Sequence, residues 1–143
     1  MAGTRPGIKT IIVMPGTTPK IKIDAVKALG GKVILHGGTC NEAATQAQAL
    51  VTVNGYTFVH AFDDSAVIAG QGTVGLEIVR QHSGRQDAIF AQVGGAGLMA
   101  GIAAYVKYIR PEIKLIAVEA EDSACLQAAE KAQRRVEPSP SQG

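Results

Sequence analysis

The chain has 143 residues, 46% of them hydrophobic and 18% charged, enough apolar surface for one compact domain or two small lobes that share a core. The formal net charge is +2 and neither sign runs in blocks, which argues against a nucleic-acid or membrane surface and for a small-molecule partner. No apolar run approaches the roughly twenty residues that span a bilayer, MAGTRPGIKT lacks the apolar core of a secretion signal, and two distant cysteines, Cys40 and Cys125, suit reduced thiols, so the expected location is the cytoplasm.

Five short segments rich in Ile and Val, at 8–14, 32–36, 57–61, 88–93 and 114–119, read as strands buried on both faces. Segments of helical period separate them. Thr18 before Pro19 reads as an N-cap with proline at N1, and the helix that follows stops at Gly30-Gly31. Thr39 with Glu42 three residues on has the form of a capping box, and its helix stops at Asn54-Gly55. A third helix begins near 63–65 and runs to about His82, a fourth occupies 98–109 and ends before Pro111, and a fifth starts near Asp122. Strict alternation of strand and helix predicts an α/β fold: a parallel sheet with helices on both faces, three-layered and Rossmann-like. After Ala132 the apolar period gives way to QRRVEPSPSQG, so 133–143 is expected to be a frayed tail.

Between the fourth strand and its helix stands Gly94-Gly95-Ala96-Gly97. In open α/β sheets this edge is where ligands bind, and residues without side chains let an anion reach loop amides and the positive end of a helix dipole. A small phosphorylated ligand is the expected guest, ahead of the plainer reading in which the glycines only allow a tight turn and close helix packing. Gly95-x-Gly97-x-x-Ala100 also satisfies a dinucleotide fingerprint, with Glu119 at the end of the next strand as its ribose-binding acid. That motif normally follows the first strand of such a fold, not the fourth.

Four blocks in register, VMPGTTPKIKIDAVKALGGKVILHG, FDDSAVIAGQGTVGLEI, QVGGAGLMAGIA and IKLIAVEAEDSACLQAA, resemble the threonine/serine dehydratases of the pyridoxal-phosphate fold type II family over roughly 8–129. The resemblance implies a small-lobe-like unit at 8–62 and a large-lobe-like unit at 63–132. It assigns the cradling of the cofactor phosphate to Gly94, Gly95, Ala96, Gly97 and Leu98, with Ala96 standing where family members carry a fourth glycine. If that position needs a positive φ, its methyl group costs of order 1 kcal/mol.

Family members also carry a Ser-x-Lys segment, whose lysine forms the Schiff base, and a Ser-Ala-Gly-Asn-His segment that grips the substrate. Neither is present here, and Lys9, Lys20, Lys22, Lys27, Lys32, Lys107, Lys114 and Lys131 stand in no comparable context. The resemblance therefore implies a truncated relative of an ammonia-lyase that converts L-threonine to 2-oxobutanoate, with no catalytic residue of its own. Such a chain is expected to bind phosphate or pyridoxal phosphate without covalent attachment. The alternative is a non-catalytic module that forms a homodimer or complements a chain supplying the lysine.

The remaining polar residues read as structural. His36, His60 and His82 have no metal-ligand spacing and are expected at strand or helix ends. Asp63, Asp64, Asp122 and Ser123 suit helix starts. Glu119 resembles a position that ligates a divalent cation in some serine-specific relatives, but no second ligand is apparent, so a solvated carboxylate is the expectation and no metal site is predicted. Gly70, Gly72 and Gly75 within one helical segment disfavour helix by about 2–3 kcal/mol against alanine, so something should approach closely there.

Overall fold

The computed structural model describes residues 7–121, 124–134 and 136, which divide between Phe58 and Val59 into two compact units. Each is a parallel α/β assembly, and the elements follow the alternation of the sequence with one exception.

The first unit contains β1 (Ile11–Met14), α1 (Lys20–Ala28), β2 (Lys32–Leu35) and α2 (Cys40–Asn54). β1 and β2 pair in parallel, Ile11 opposite Lys32 through Met14 opposite Leu35. At the start of α1 the structure corrects the expected cap. Pro19 has ψ 136°, still extended, and its carbonyl accepts the Lys22 N–H at 3.0 Å, so Pro19 is the N-cap and no side chain caps the helix. The other end follows the sequence: Gly30 adopts φ 81° and the Gly31 N–H reaches back to the Val26 carbonyl at 3.1 Å, a wrap that glycine permits.

α2 opens with the full capping box. Thr39 Oγ1 accepts the Glu42 N–H at 3.3 Å, while Glu42 Oε2 accepts the N–H groups of Thr39 at 3.0 Å and Gly38 at 2.7 Å. The Gly38 amide, followed by Thr39, holds the Glu42 carboxyl below the ordinary value of 4.5, because these donors favour the charged form. The loop before α2 is also tied to the loop before α1, by Gly16 N–H to the Gly37 carbonyl at 2.8 Å and Thr17 Oγ1 to the Gly38 carbonyl at 3.2 Å.

The second unit contains α3 (Ser65–Gln81), β3 (Ala88–Gln92), α4 (Gly97–Ile109), β4 (Lys114–Val118) and α5 (Cys125–Ala132). β3 and β4 pair in parallel from Ala88 opposite Lys114 to Gln92 opposite Val118. One face of this ladder meets α4 in a core of Ile89, Ala91, Ile102, Val106 and Ile113, with Leu115, Tyr105, Met99 and Leu98 packed around it. Burial of these side chains is the main favourable contribution, about 1.5–3 kcal/mol for each large one.

Helix α3 lies against α4, and the glycines explain how. The backbones meet where Gly72 faces Gly101: a Cβ on Gly72 would stand 3.1 Å from the Gly101 carbonyl oxygen, and one on Gly101 would collide with the Ile68 carbonyl and stand 2.6 Å from the Gly72 nitrogen. Gly75 is almost as tight against Val106 and Ile102. The close approach expected of this glycine-rich helix is therefore made by a neighbouring helix, except at Gly70, where a Cβ would meet nothing.

The exception to the alternation is 57–61, which belongs to neither ladder. The segment crosses the boundary between the units, and His60 Nδ1 then accepts the N–H groups of Phe62 at 3.2 Å and Asp63 at 2.7 Å. Those amides turn the chain into α3 directly after the segment, and among the described residues no strand pairs with 57–61. The expected start of the fifth helix at Asp122, with Ser123, lies outside the described residues, as does most of the 133–143 tail; α5 itself begins at Cys125.

Replacing Gly101 by alanine should push α3 from α4 and destabilise the second unit by about 1–3 kcal/mol. Denaturant unfolding of the variant checks this; an unchanged midpoint would show that the interhelical contact is not tight.

Candidate functional site

The segment joining β3 to α4 combines a left-handed alanine with two glycines packed against a neighbour. The ladder runs one step past β3, since the Val93 N–H donates to the Val118 carbonyl at 2.9 Å. Gly94 and Gly95 then turn the chain. Ala96 becomes the N-cap of α4 in the left-handed region, φ 64° and ψ −6°, with no side-chain cap. A helix start leaves its first amides without intrahelical acceptors. Among the described residues, the N–H groups of Gly94, Gly95, Ala96, Gly97, Leu98 and Met99 donate to no protein acceptor. The structure thus gathers the five residues singled out by the sequence into one turn of free donors at the positive end of the α4 dipole.

Two of these glycines are required by a neighbour. A Cβ on Gly95 would run into the Phe62 ring, including Cδ2 at 2.6 Å, and one on Gly97 would lie 2.7 Å from the Phe62 carbonyl oxygen and 2.9 Å from its Cβ. Around Gly94 there is nothing within 4 Å, so the loop leans on Phe62 on one side and is open on another. Ala96 is the strained position: an alanine in the left-handed region costs about 1–2 kcal/mol.

The loop walls a cleft of about 340 Å³ lined by Ala61, Phe62, Gln71, Gln92, Gly94, Gly95, Ala96, Gly97 and Leu98. None of the lining side chains is charged. An anion entering it meets no carboxylate, and its attraction comes from backbone amides and the helix end. Gln71, from α3, and Gln92, from the last position of β3, add amide side chains. Sequence reasoning did not single out either glutamine or Phe62. Their signal was adjacency: Gln71 lies between Gly70 and Gly72, Gln92 ends the strand before the loop, and Phe62 precedes the aspartates that start α3.

Other candidates find structural employment. Asp64 caps α3, its Oδ1 accepting the Ala66 N–H at 2.8 Å and the Val67 N–H at 3.1 Å. Glu119 has a role that the sequence did not assign: Oε1 accepts the Leu126 N–H at 2.7 Å and Oε2 the Gln127 N–H at 2.9 Å. It caps α5 from a distance while staying half-exposed, so it is not a free acid awaiting a ribose. His60 closes the turn before α3, and His82 is the C-cap residue of that helix. Among the described residues no group of three or more His, Cys, Asp or Glu could hold a metal ion, and no helix is long and apolar enough to cross a membrane.

The sequence pattern of the family described as pyridoxal-phosphate dependent enzyme matches residues 1–142. The biosynthetic L-threonine dehydratase IlvA of Burkholderia multivorans is 51% identical over 139 residues, which cover 95% of this chain and 27% of that protein. The corresponding Escherichia coli protein is 51% identical over 90% of this chain and 25% of its own length. The chain thus spans about a quarter of these relatives. Among solved structures, the processed form of threonine deaminase isoform 2 from Solanum lycopersicum superposes with a TM-score of 0.85 at 47% identity, over 94% of this chain and 37% of that one.

Ala96→Gly should remove the left-handed penalty of about 1–2 kcal/mol while adding unfolded-state freedom worth roughly 0.4–1 kcal/mol. The net expectation is a gain of between zero and about 1.6 kcal/mol, measured as a higher denaturant midpoint; a lower midpoint would contradict the strain assigned to this position.

Proposed function

Because the chain belongs to the pyridoxal-phosphate dependent enzyme family, we propose that it is the phosphate-holding portion of a threonine/serine dehydratase-like ammonia-lyase, whose reaction is the deamination of L-threonine to 2-oxobutanoate and ammonia. The observation that carries this reading is the row of six unengaged amides, 94–99, at the start of α4. Gly94, Gly95, Ala96, Gly97 and Leu98 would hold the phosphate ester of the cofactor. The fit is chemical as well as geometric: a phosphate dianion needs several convergent donors, and no carboxylate lines the cleft to repel it.

When bound, pyridoxal phosphate supplies the electron sink for the reaction. The chain's own residues bind and orient its anionic end: the amides fix the phosphate, Phe62 backs the loop that presents them, and Gln71 and Gln92 offer hydrogen bonds at the cleft wall. No lysine lines that cleft, so this chain by itself is assigned reversible, non-covalent cofactor binding and no turnover. Both cysteines are free thiols, which supports placing the chain in the cytoplasm.

The test is a titration of the chain with inorganic phosphate and with pyridoxal phosphate, followed by the amide signals of an isotope-labelled sample. Signals of 94–98 should shift with both ligands, phosphate should displace the cofactor, and borohydride should leave no stoichiometric adduct at any one lysine. Silent loop signals, or a single-site adduct, would overturn the reading.

A second reading is favoured by the face of the β3–β4 ladder turned away from α4. Phe90 is 69% exposed, Val118 48% and its neighbour Ile116 37%, and they stand side by side, since Phe90 pairs with Ile116 and Gln92 with Val118. A contiguous apolar face of this kind suits a homodimer or a complementing chain. Sedimentation should then show association that weakens in Phe90→Lys; a strict monomer at high concentration would refute the homodimer.

A further inference from the structure

We propose that His60 and Phe62 are positioning residues for the anion-binding loop, with His60 as the local latch that holds Phe62 against Gly95 and Gly97. The inference rests on the phosphate-cradle reading above and extends it to a residue pair outside the loop. Loop 94–97 cannot set its own conformation. Three of its residues, Gly94, Gly95 and Gly97, are glycines with a wide choice of φ and ψ, the remaining one, Ala96, is strained at φ 64°, and no side chain caps the helix that follows. Something outside the loop must select the arrangement in which its amides converge.

The adjoining group is Phe62, whose ring lies where a Gly95 Cβ would be and whose backbone lies where a Gly97 Cβ would be. Phe62 is held in turn by its own turn. His60 Nδ1 accepts N–H groups two and three residues ahead, at 3.2 Å from Phe62 and 2.7 Å from Asp63, the pattern an asparagine or aspartate oxygen makes in an Asx-turn. The same imidazole meets the Phe62 ring edge-on, with centroids 4.8 Å apart and an 87° interplanar angle. One residue further on, Asp64 caps α3, which is locked to α4 at Gly72 and Gly101. The latch therefore sits on rigid support and acts at one point, the glycine loop.

Because the work is done by an acceptor at Nδ1, the side chain that replaces it best is asparagine. Its Oδ1 occupies a similar position relative to the backbone and accepts the same N–H groups. Alanine removes the acceptor and the edge contact together. This contrast separates a latch from a residue that only fills space, for which leucine would serve better than asparagine.

The experiment uses the full chain labelled for amide detection, with inorganic phosphate as the probe, in wild type, His60→Ala, His60→Asn, His60→Leu and Phe62→Ala forms. Backbone order parameters of Gly95 and Gly97 are recorded by amide relaxation without phosphate, and the Ile102 and Val106 amides report an intact core. His60→Ala, His60→Leu and Phe62→Ala should each weaken phosphate binding about tenfold, the loss of roughly 1.4 kcal/mol, and lower the order parameters of Gly95 and Gly97. His60→Asn should restore both to near wild type. Equal affinity and order in all forms, or rescue by leucine rather than asparagine, would overturn the latch. If wild type itself takes no phosphate, the cradle reading fails, while loop order in the same variants still decides whether His60 orders the loop.

Discussion

The second unit is organised by the contact between the α3 and α4 backbones at Gly72 and Gly101, because it decides where both helix starts lie. With no side chain on either residue, the helices approach until the backbone of one lies where a methyl of the other would be. Phe62 is carried in front of α3 and the glycine loop in front of α4, so the contact also brings ring and loop together. Packing at a distance from the cleft is thereby converted into geometry within it, as expected of a close-packed interior that transmits displacement.

The cleft that results is electrically unusual for a site proposed to hold a phosphate. No lysine or arginine lines it, and attraction comes from oriented backbone dipoles. Such donors are part of the folded chain and pay little side-chain entropy when they bind, in contrast to a long flexible ammonium. The cost appears instead in the backbone, at an alanine held in the left-handed region and at glycines that cannot be replaced where Phe62 touches them. Three other helices begin at a carboxylate: Glu42 at α2, Asp64 at α3 and Glu119 at α5. Those starts are satisfied from within the protein, whereas the amides ahead of α4 are available to a guest.

How much could be read beforehand depended on how local the determining physics was. The Thr39–Glu42 box, the Gly55 stop, the Asp64 cap and the loop at 94–97 were legible because each is decided within a few residues by side-chain chemistry or the absence of a Cβ. The parallel pairing of β1 with β2 and of β3 with β4 followed from alternation. The segment 57–61 had the composition of a strand, yet composition says nothing about whether a ladder neighbour exists. At Thr18 the error was of a single residue, since proline's fixed φ suits both the N-cap and N1 and only its ψ distinguishes them.

By itself the sequence determined the order of the elements apart from the expected strand at 57–61, most of the helix ends, and a glycine-rich turn at the start of α4, all of which rest on short-range propensity and capping. Only the tertiary structure decided that Glu119 is consumed in capping α5, that the glycines of α3 face another helix, and that His60 and Phe62 border the turn. The contacts of Gly72 with Gly101 and of Phe62 with Gly95 and Gly97 join residues about thirty apart along the chain. Even Glu119 reaches seven and eight residues ahead, past the span of a capping motif. Such neighbours are chosen by packing, which no local pattern records.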